Sequence, residues 1–236
     1  VVSSTTEDYG KIMGRFEVKV SLEGTQPEYI TQKRILEKNG TGMAELNKLY
    51  SKKRTAIDTQ FQLPTGYEAF ISQDKFVDFY PFVPYQFRLI KQVFQAFRDR
   101  GYVEKEVKGN ERSVIKVTHA TARDHMNDSI GEFIPFDAFY NATFKGSLMA
   151  SGQRAISNAN AVIGSYPRDP QFGHRVVDVL FMICNLKDDE KMAFPATVDN
   201  ITTLLMKDVD AQKVTLKNDV QKVLDFLRQN NIIRIL

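Results

Sequence analysis

Cysteine is almost missing from this chain of 236 residues, where Cys184 stands alone. A single thiol closes no internal disulfide and excludes any zinc site built on paired cysteines. Set inside the apolar run Val176–Leu186, it reads as a buried, inert thiol in a reducing cytoplasm. Histidine is nearly as scarce, with three copies. His119 and His125 lie six residues apart on one predicted helix, neither i+3 nor i+4, which is a poor spacing for two ligands of one metal. His174 stands alone. No GxSxG occurs, so nucleophilic catalysis has no candidate. Charge of one sign is also missing in excess: 32 basic and 29 acidic side chains leave +3, which calls for neither nucleic acid nor an acidic membrane. The apolar run itself is broken by Asp178 and Asn185 and is far shorter than the roughly 20 residues a membrane helix needs. Residues 1–10 are polar and Ser/Thr-rich, with no charged-then-apolar leader. A cytoplasmic protein without a membrane segment is expected.

One further absence weighs most. There is no GxxxxGK[ST] and no apolar strand ending in Asp-Glu, so neither a phosphate-cradling loop nor a Mg²⁺-holding strand is present in this sequence. What is there is an ordinary globular composition, 42% hydrophobic and 26% charged, long enough to bury a real core. Its organising stretch runs from Phe79 to Phe97. Pro81 and Pro84 sit among Phe79, Tyr80, Phe82, Tyr85 and Phe87. Proline suits the first turn of a helix, so a helix should start near Pro84. Phe87, Leu89, Ile90, Val93, Phe94 and Phe97 then make one broad apolar face, and Gly101 ends it.

Elsewhere the pattern is mostly helical. Phe16, Val18, Val20 and Leu22 alternate with polar residues, which predicts a half-buried strand ending at Gly24. Pro27 opens a helix through about Lys38, and a second runs from about Met43 to Ile57. The segment Lys11–Arg54 has ten basic residues against five Glu, read as a solvated face. A short helix follows Ser72, and another runs from Gly109 to about Asn127 with Val114, Val117, Ala120 and Ala122 inward. Residues 134–163 hold one more. Tyr166–Pro170 has two prolines within four residues and marks a linker. Beyond it come three helices: Val176–Asn185, one capped by Thr197 through Met206, and one capped by Thr215. Ile232–Leu236 reads as a strand. Three helices followed by a strand fit the first part of a winged helix. Its third helix carries Lys213, Lys217, Lys222 and Arg228, but also Asp219 and Asp225. That mixture suits contact with DNA phosphates at most, and contact with a protein equally well.

Gly14-Arg15-Phe16, Lys33 to Lys38, YPFVPYQF (Tyr80–Phe87), Gly109-Asn110-Glu111-Arg112, IPFDAFY (Ile134–Tyr140) and FPATVDNITTLLMKDVDA (Phe194–Ala211) follow one another in the order and spacing of a known family. The chain resembles the BREX-system P-loop ATPases (BrxC- and PglY-like proteins) of bacterial phage exclusion. The resemblance implies a mainly α fold with minor β: 1–24 as the end of an ATPase core, 25–165 as an AAA+-type helical lid, and 166–236 as a winged-helix-like domain cut at its wing. It implies ATP and magnesium in the full-length protein and none for this chain alone. Arg15 then looks like an arginine finger acting on a neighbouring subunit's nucleotide. Arg112 resembles a lid-helix sensor of nucleotide on its own subunit, since a guanidinium stabilises charge on a transferring phosphoryl group. Implied partners are further subunits, other phage-defence proteins and double-stranded DNA. The alternative is a self-standing winged-helix DNA-binding regulator.

Overall fold

The computed structural model describes residues 34–104 and 111–234, excepting the side chains of Glu111 and Arg112. The fold is mainly helical. Among the described residues strand structure is limited to an isolated antiparallel bridge between Glu132 and Asp208. The strand predicted at Phe16–Leu22, with the segment 1–24, lies outside the described residues. So does most of the helix opened by Pro27.

Helix α1 spans Gly40–Gln60, its first turn capped by Asn39, whose side chain accepts from the Gly42 amide at 2.8 Å. Helix α2 is Gln73–Phe79, capped by Ser72. Helix α3, Tyr85–Asp99, starts directly after Pro84 and stops before Gly101, whose φ of +65° suits a residue without a Cβ. Its apolar face is the centre of the molecule: Leu89, Ile90, Val93 and Phe97 are fully buried. At roughly 1.5–3 kcal/mol for each such side chain, this one face outweighs any surface pairing in the fold.

Helix α4, Glu111–Asp124, buries Val114 and Val117 as expected. Ala120 and Ala122 are only half-buried, and Thr118 and Thr121 take the inner positions instead. Their hydroxyls donate to the carbonyls of Val114 and Val117, each at 2.8 Å, so burial leaves neither unsatisfied. Where one helix was expected over 134–163, the chain makes three pieces. These are a single turn α5 (Asp137–Phe139), a π-helical turn (Tyr140–Phe144) and α6 (Ala150–Ile163).

The Tyr166–Pro170 stretch is not free chain. Tyr166 is buried against Phe226, and Pro170 is the first residue of α7, Pro170–Cys184, capped by Asp169. Cys184, expected inside, is exposed. It is the last residue of α7, and Met182, Ile183 and Leu186 take the core positions around it. Helix α8 is Asp188–Ala193 and α9 is Val198–Leu204, capped by Thr197 as read from the sequence. Helix α10, Lys213–Gln229, begins before the predicted cap Thr215. Lys213 reaches back to the carbonyls of Thr59 and Gln60 at the end of α1, both at 2.9 Å, which pins the helix start there. Ile232–Arg234 is irregular rather than a strand, since no partner strand lies beside it among the described residues.

The stretches of sequence singled out above meet in space. The Gln86 side chain accepts from the Val83 amide at 3.0 Å and donates to the Ile134 carbonyl at 2.7 Å. The Ile134 amide donates to Pro81 at 3.0 Å, and the Phe136 amide to Leu204 at 2.7 Å. Phe133 touches Phe61, Phe70, Phe76 and Tyr80 through ring contacts. One hydrophobic cluster runs without a break from Leu36 to Leu227.

Candidate functional site

Arg15 lies outside the described residues. Arg112 is the second residue of α4, and its side chain is likewise outside the described part of the structure. The four cations proposed for DNA all lie on α10, and each already has a partner. Lys213 holds the end of α1, and burial pulls its ammonium below the ordinary lysine value. Lys217 pairs with Asp199 of α9 at 2.6 Å. Lys222 pairs with Asp219 at 2.8 Å and Arg228 with Asp225 at 3.2 Å, both within the helix. The side chains of Lys217, Lys222 and Arg228 stay about half exposed. Such surface pairs contribute under about 1 kcal/mol and exchange readily for a phosphate. Lys213 is different: removing it uncovers two carbonyls at a helix end.

The chemistry gathers elsewhere, in two cavities that share Asn141 and Arg175 and are lined by several charged and amide side chains. One, of about 310 Å³, lies between the end of α4, α5 and the loop at Lys207. The other, of about 510 Å³, lies between the π-helical turn, α6 and α7. Between them stands a forked ion pair: Arg175 Nε donates to Asp137 Oδ2 at 2.7 Å and Nη2 to Oδ1 at 3.1 Å. Nη2 also reaches the Leu205 carbonyl at 3.4 Å. Asp137 is buried, and a planar guanidinium matches both its oxygens. Around the smaller cavity, His125 Nδ1 lies 2.8 Å from Asp128 Oδ2. Lys207 bridges Asp128 and Glu132 at 3.2 and 3.1 Å. The hydrogen bond from His125, helped by Lys207, holds the Asp128 carboxyl below its usual range.

In the larger cavity Asp178 stands near Asp137 and Arg175. Burial first, and the charge of Asp137 second, push its carboxyl up to about 7. Burial and the charge of Asp178 push the Tyr140 phenol upward as well. His174 Nδ1 faces Asn160 Oδ1 at 3.1 Å. Placed together, these groups can bind a polar molecule and exchange a proton near neutrality. Among the described residues they bring no nucleophile beside a base.

The cluster leaves a mark in the sequence. Asp178 is the charged interruption of the most apolar run, and Asp137 sits inside IPFDAFY. A charge at a core position of an apolar helix needs a neighbour of opposite charge or a ligand. The sequence does not show that Arg175 pairs with Asp137, 38 positions away, and forms no ion pair with Asp178. No helix of the described residues is long and apolar enough to cross a membrane. Neither a protein-family model nor a solved structure matches the chain.

Proposed function

We propose that this chain is the helical lid and winged-helix-like portion of a BREX-type P-loop ATPase. On this reading it couples the nucleotide state of an ATPase core to contact with DNA or a partner protein. One observation carries the reading. The stretches that resemble the family, Tyr80–Phe87, Ile134–Tyr140 and Phe194–Ala211, interlock through backbone hydrogen bonds into one frame. Sequence signatures that bond to one another describe a single structural unit. That unit is helical and takes in residues from both the lid and the winged-helix-like portions, and the sequence has no phosphate-binding loop of its own. Helices α7, α9 and α10 pack on each other as the first three helices of a winged helix would. Magnesium and ATP belong to the full-length protein. There Arg112 would contact nucleotide in cis and Arg15 across a subunit boundary.

Two measurements test this. Calorimetric titration of the 236-residue chain with Mg-ATP should give no binding heat, and a micromolar constant would overturn the reading. In the full-length protein, whose reading frame must also encode a GxxxxGK[ST] loop, Arg112→Ala and Arg15→Ala should each lower the ATPase rate at least about tenfold. That is a small part of the about 10³–10⁵ an arginine finger contributes in GTPases. Parental rates in both variants would make the arginines structural. For α10, phosphate contact through Lys217, Lys222 and Arg228 makes duplex binding weak and indifferent to sequence. With two such contacts, affinity should fall roughly tenfold between 50 and 200 mM salt. Sequence-specific binding that survives high salt would instead favour a self-standing regulator.

A further inference from the structure

The larger cavity holds a carboxyl that no protein group among the described residues binds. Asp178 is 7% exposed, yet no hydrogen bond or ion pair reaches its carboxyl among the described residues. Its oxygens are not sealed from solvent, so water in the cavity is their available partner, and a ligand that offers a donor can take that place. Arg175, the nearest guanidinium, has turned its fork to Asp137. Tyr140, buried as a residue, lines the same cavity, and its hydroxyl is not sealed from solvent there. At the rim stands Lys145, exposed, its charge felt at Asp178 but with no ion pair of its own among the described residues. The π-helical turn Tyr140–Phe144 brings these groups to one opening, and such turns are frequent at functional sites.

The charges in the wall leave a pattern. Asp137 and Arg175 cancel. Asp178, nearly buried, and Lys145, exposed, remain, opposite in sign and joined by no ion pair among the described residues. The molecule complementary to that pair carries both signs itself. At about 510 Å³ the space is in the range of small-ligand sites, and the amides of Asn141, Asn160 and Gln171 offer neutral donors and acceptors. We propose that this cavity binds a small zwitterion of the amino-acid type, with its ammonium on Asp178 and its carboxylate on Lys145. The site is independent of the nucleotide reading above and involves none of its residues.

The test is calorimetric titration of the 236-residue chain with glycine, β-alanine and γ-aminobutyrate, which span three charge separations. Ethylamine and acetate, each with one of the two charges, serve as controls. At least one zwitterion should bind at least tenfold more tightly than either control. Asp178→Asn and Lys145→Met should each weaken that binding tenfold or more, a loss of about 1.4 kcal/mol. Asp178→Asn keeps the side-chain shape and removes a buried charge, so it should fold, and its melting curve confirms this. Three zwitterions that bind no better than the controls would overturn the proposal. So would an Asp178→Asn variant with parental affinity. Direct titration of Asp178 gives a second decision. If the carboxyl ionises in the ordinary range and ignores added zwitterion, Lys145 closes on it unaided, and the cavity needs no ligand.

Discussion

At the scale of single residues, Asp178 has the largest consequence for how the protein responds to pH. Burial, reinforced by Asp137, lifts its carboxyl to about 7, while Lys145 and Arg175 pull the other way. In the unfolded chain the same group titrates near about 3.9. Between those values the folded state keeps a proton that the unfolded state has lost. This contribution to stability is therefore complete below about pH 4, declines as pH rises through 7, and then levels off. Asparagine at 178 has no proton to lose. Urea unfolding of parent and Asp178→Asn should therefore diverge with pH. The two should be nearly equal at pH 4, with the variant ahead by about 2–4 kcal/mol at pH 8. A gap that stays flat across this range would mean the carboxylate is better solvated than its 7% exposure implies. Asp128 does not confuse the comparison, since its carboxyl is held low by His125 and is common to both proteins.

At the scale of elements, local chemistry was legible and approach between helices was not. Ser72 and Thr197 cap helices because short hydroxyl side chains reach the amide three residues on. Pro84 starts α3 and Gly101 ends it for reasons of backbone geometry alone. The same local reading failed where the deciding atom lay far off in sequence. The prolines at 167 and 170 predict a linker, and residues 164–169 do connect α6 to α7, but the connection is packed, and Asp169 and Pro170 also open α7. The π-helical turn has no local signature, and its two aromatic residues, Tyr140 and Phe144, are both buried. Gly173 shows what such an approach requires. A Cβ there would lie 2.5 Å from Ile163 Cγ1 and 2.8 Å from its Cδ1. Helix propensity favours alanine over glycine by about 1 kcal/mol, whereas forcing a methyl into a packed contact costs about 1–3 kcal/mol. The contact should win. Gly173→Ala should lower unfolding free energy by up to about 2 kcal/mol, and the loss should shrink in an Ile163→Ala background. Equal losses in both backgrounds would show that Ile163 is not the obstacle.

At the scale of the whole molecule, sequence punctuation and packing divide the chain differently. Composition and periodicity were enough for a mainly helical fold, and the proline-rich stretch at 166–170 suggested two units. The links across it are long-range and polar as well as apolar, which is why no local pattern shows them. The Gln60 side chain donates to the carbonyls of Val209 and Ala211, and Lys53 pairs with Asp210. Lys213 covers the last carbonyls of α1. The Phe133 amide donates to the Lys207 carbonyl at 2.5 Å, and Tyr166 lies against Phe226. Each tie joins residues before 167 to residues after it, and the hydrophobic cluster crosses the same place. A boundary that many buried contacts cross is not a place where one part melts and the other survives. Chains of this length often populate intermediates, so a single transition is a demanding expectation. Scanning calorimetry of the 236-residue chain should give a calorimetric enthalpy equal to the van't Hoff enthalpy. Lys213→Met, which strips a tie between α1 and α10 and leaves the apolar core intact, should move that one transition down in temperature without splitting it. Two resolved transitions, with only one of them shifted by the substitution, would show that the chain melts as separate units after all.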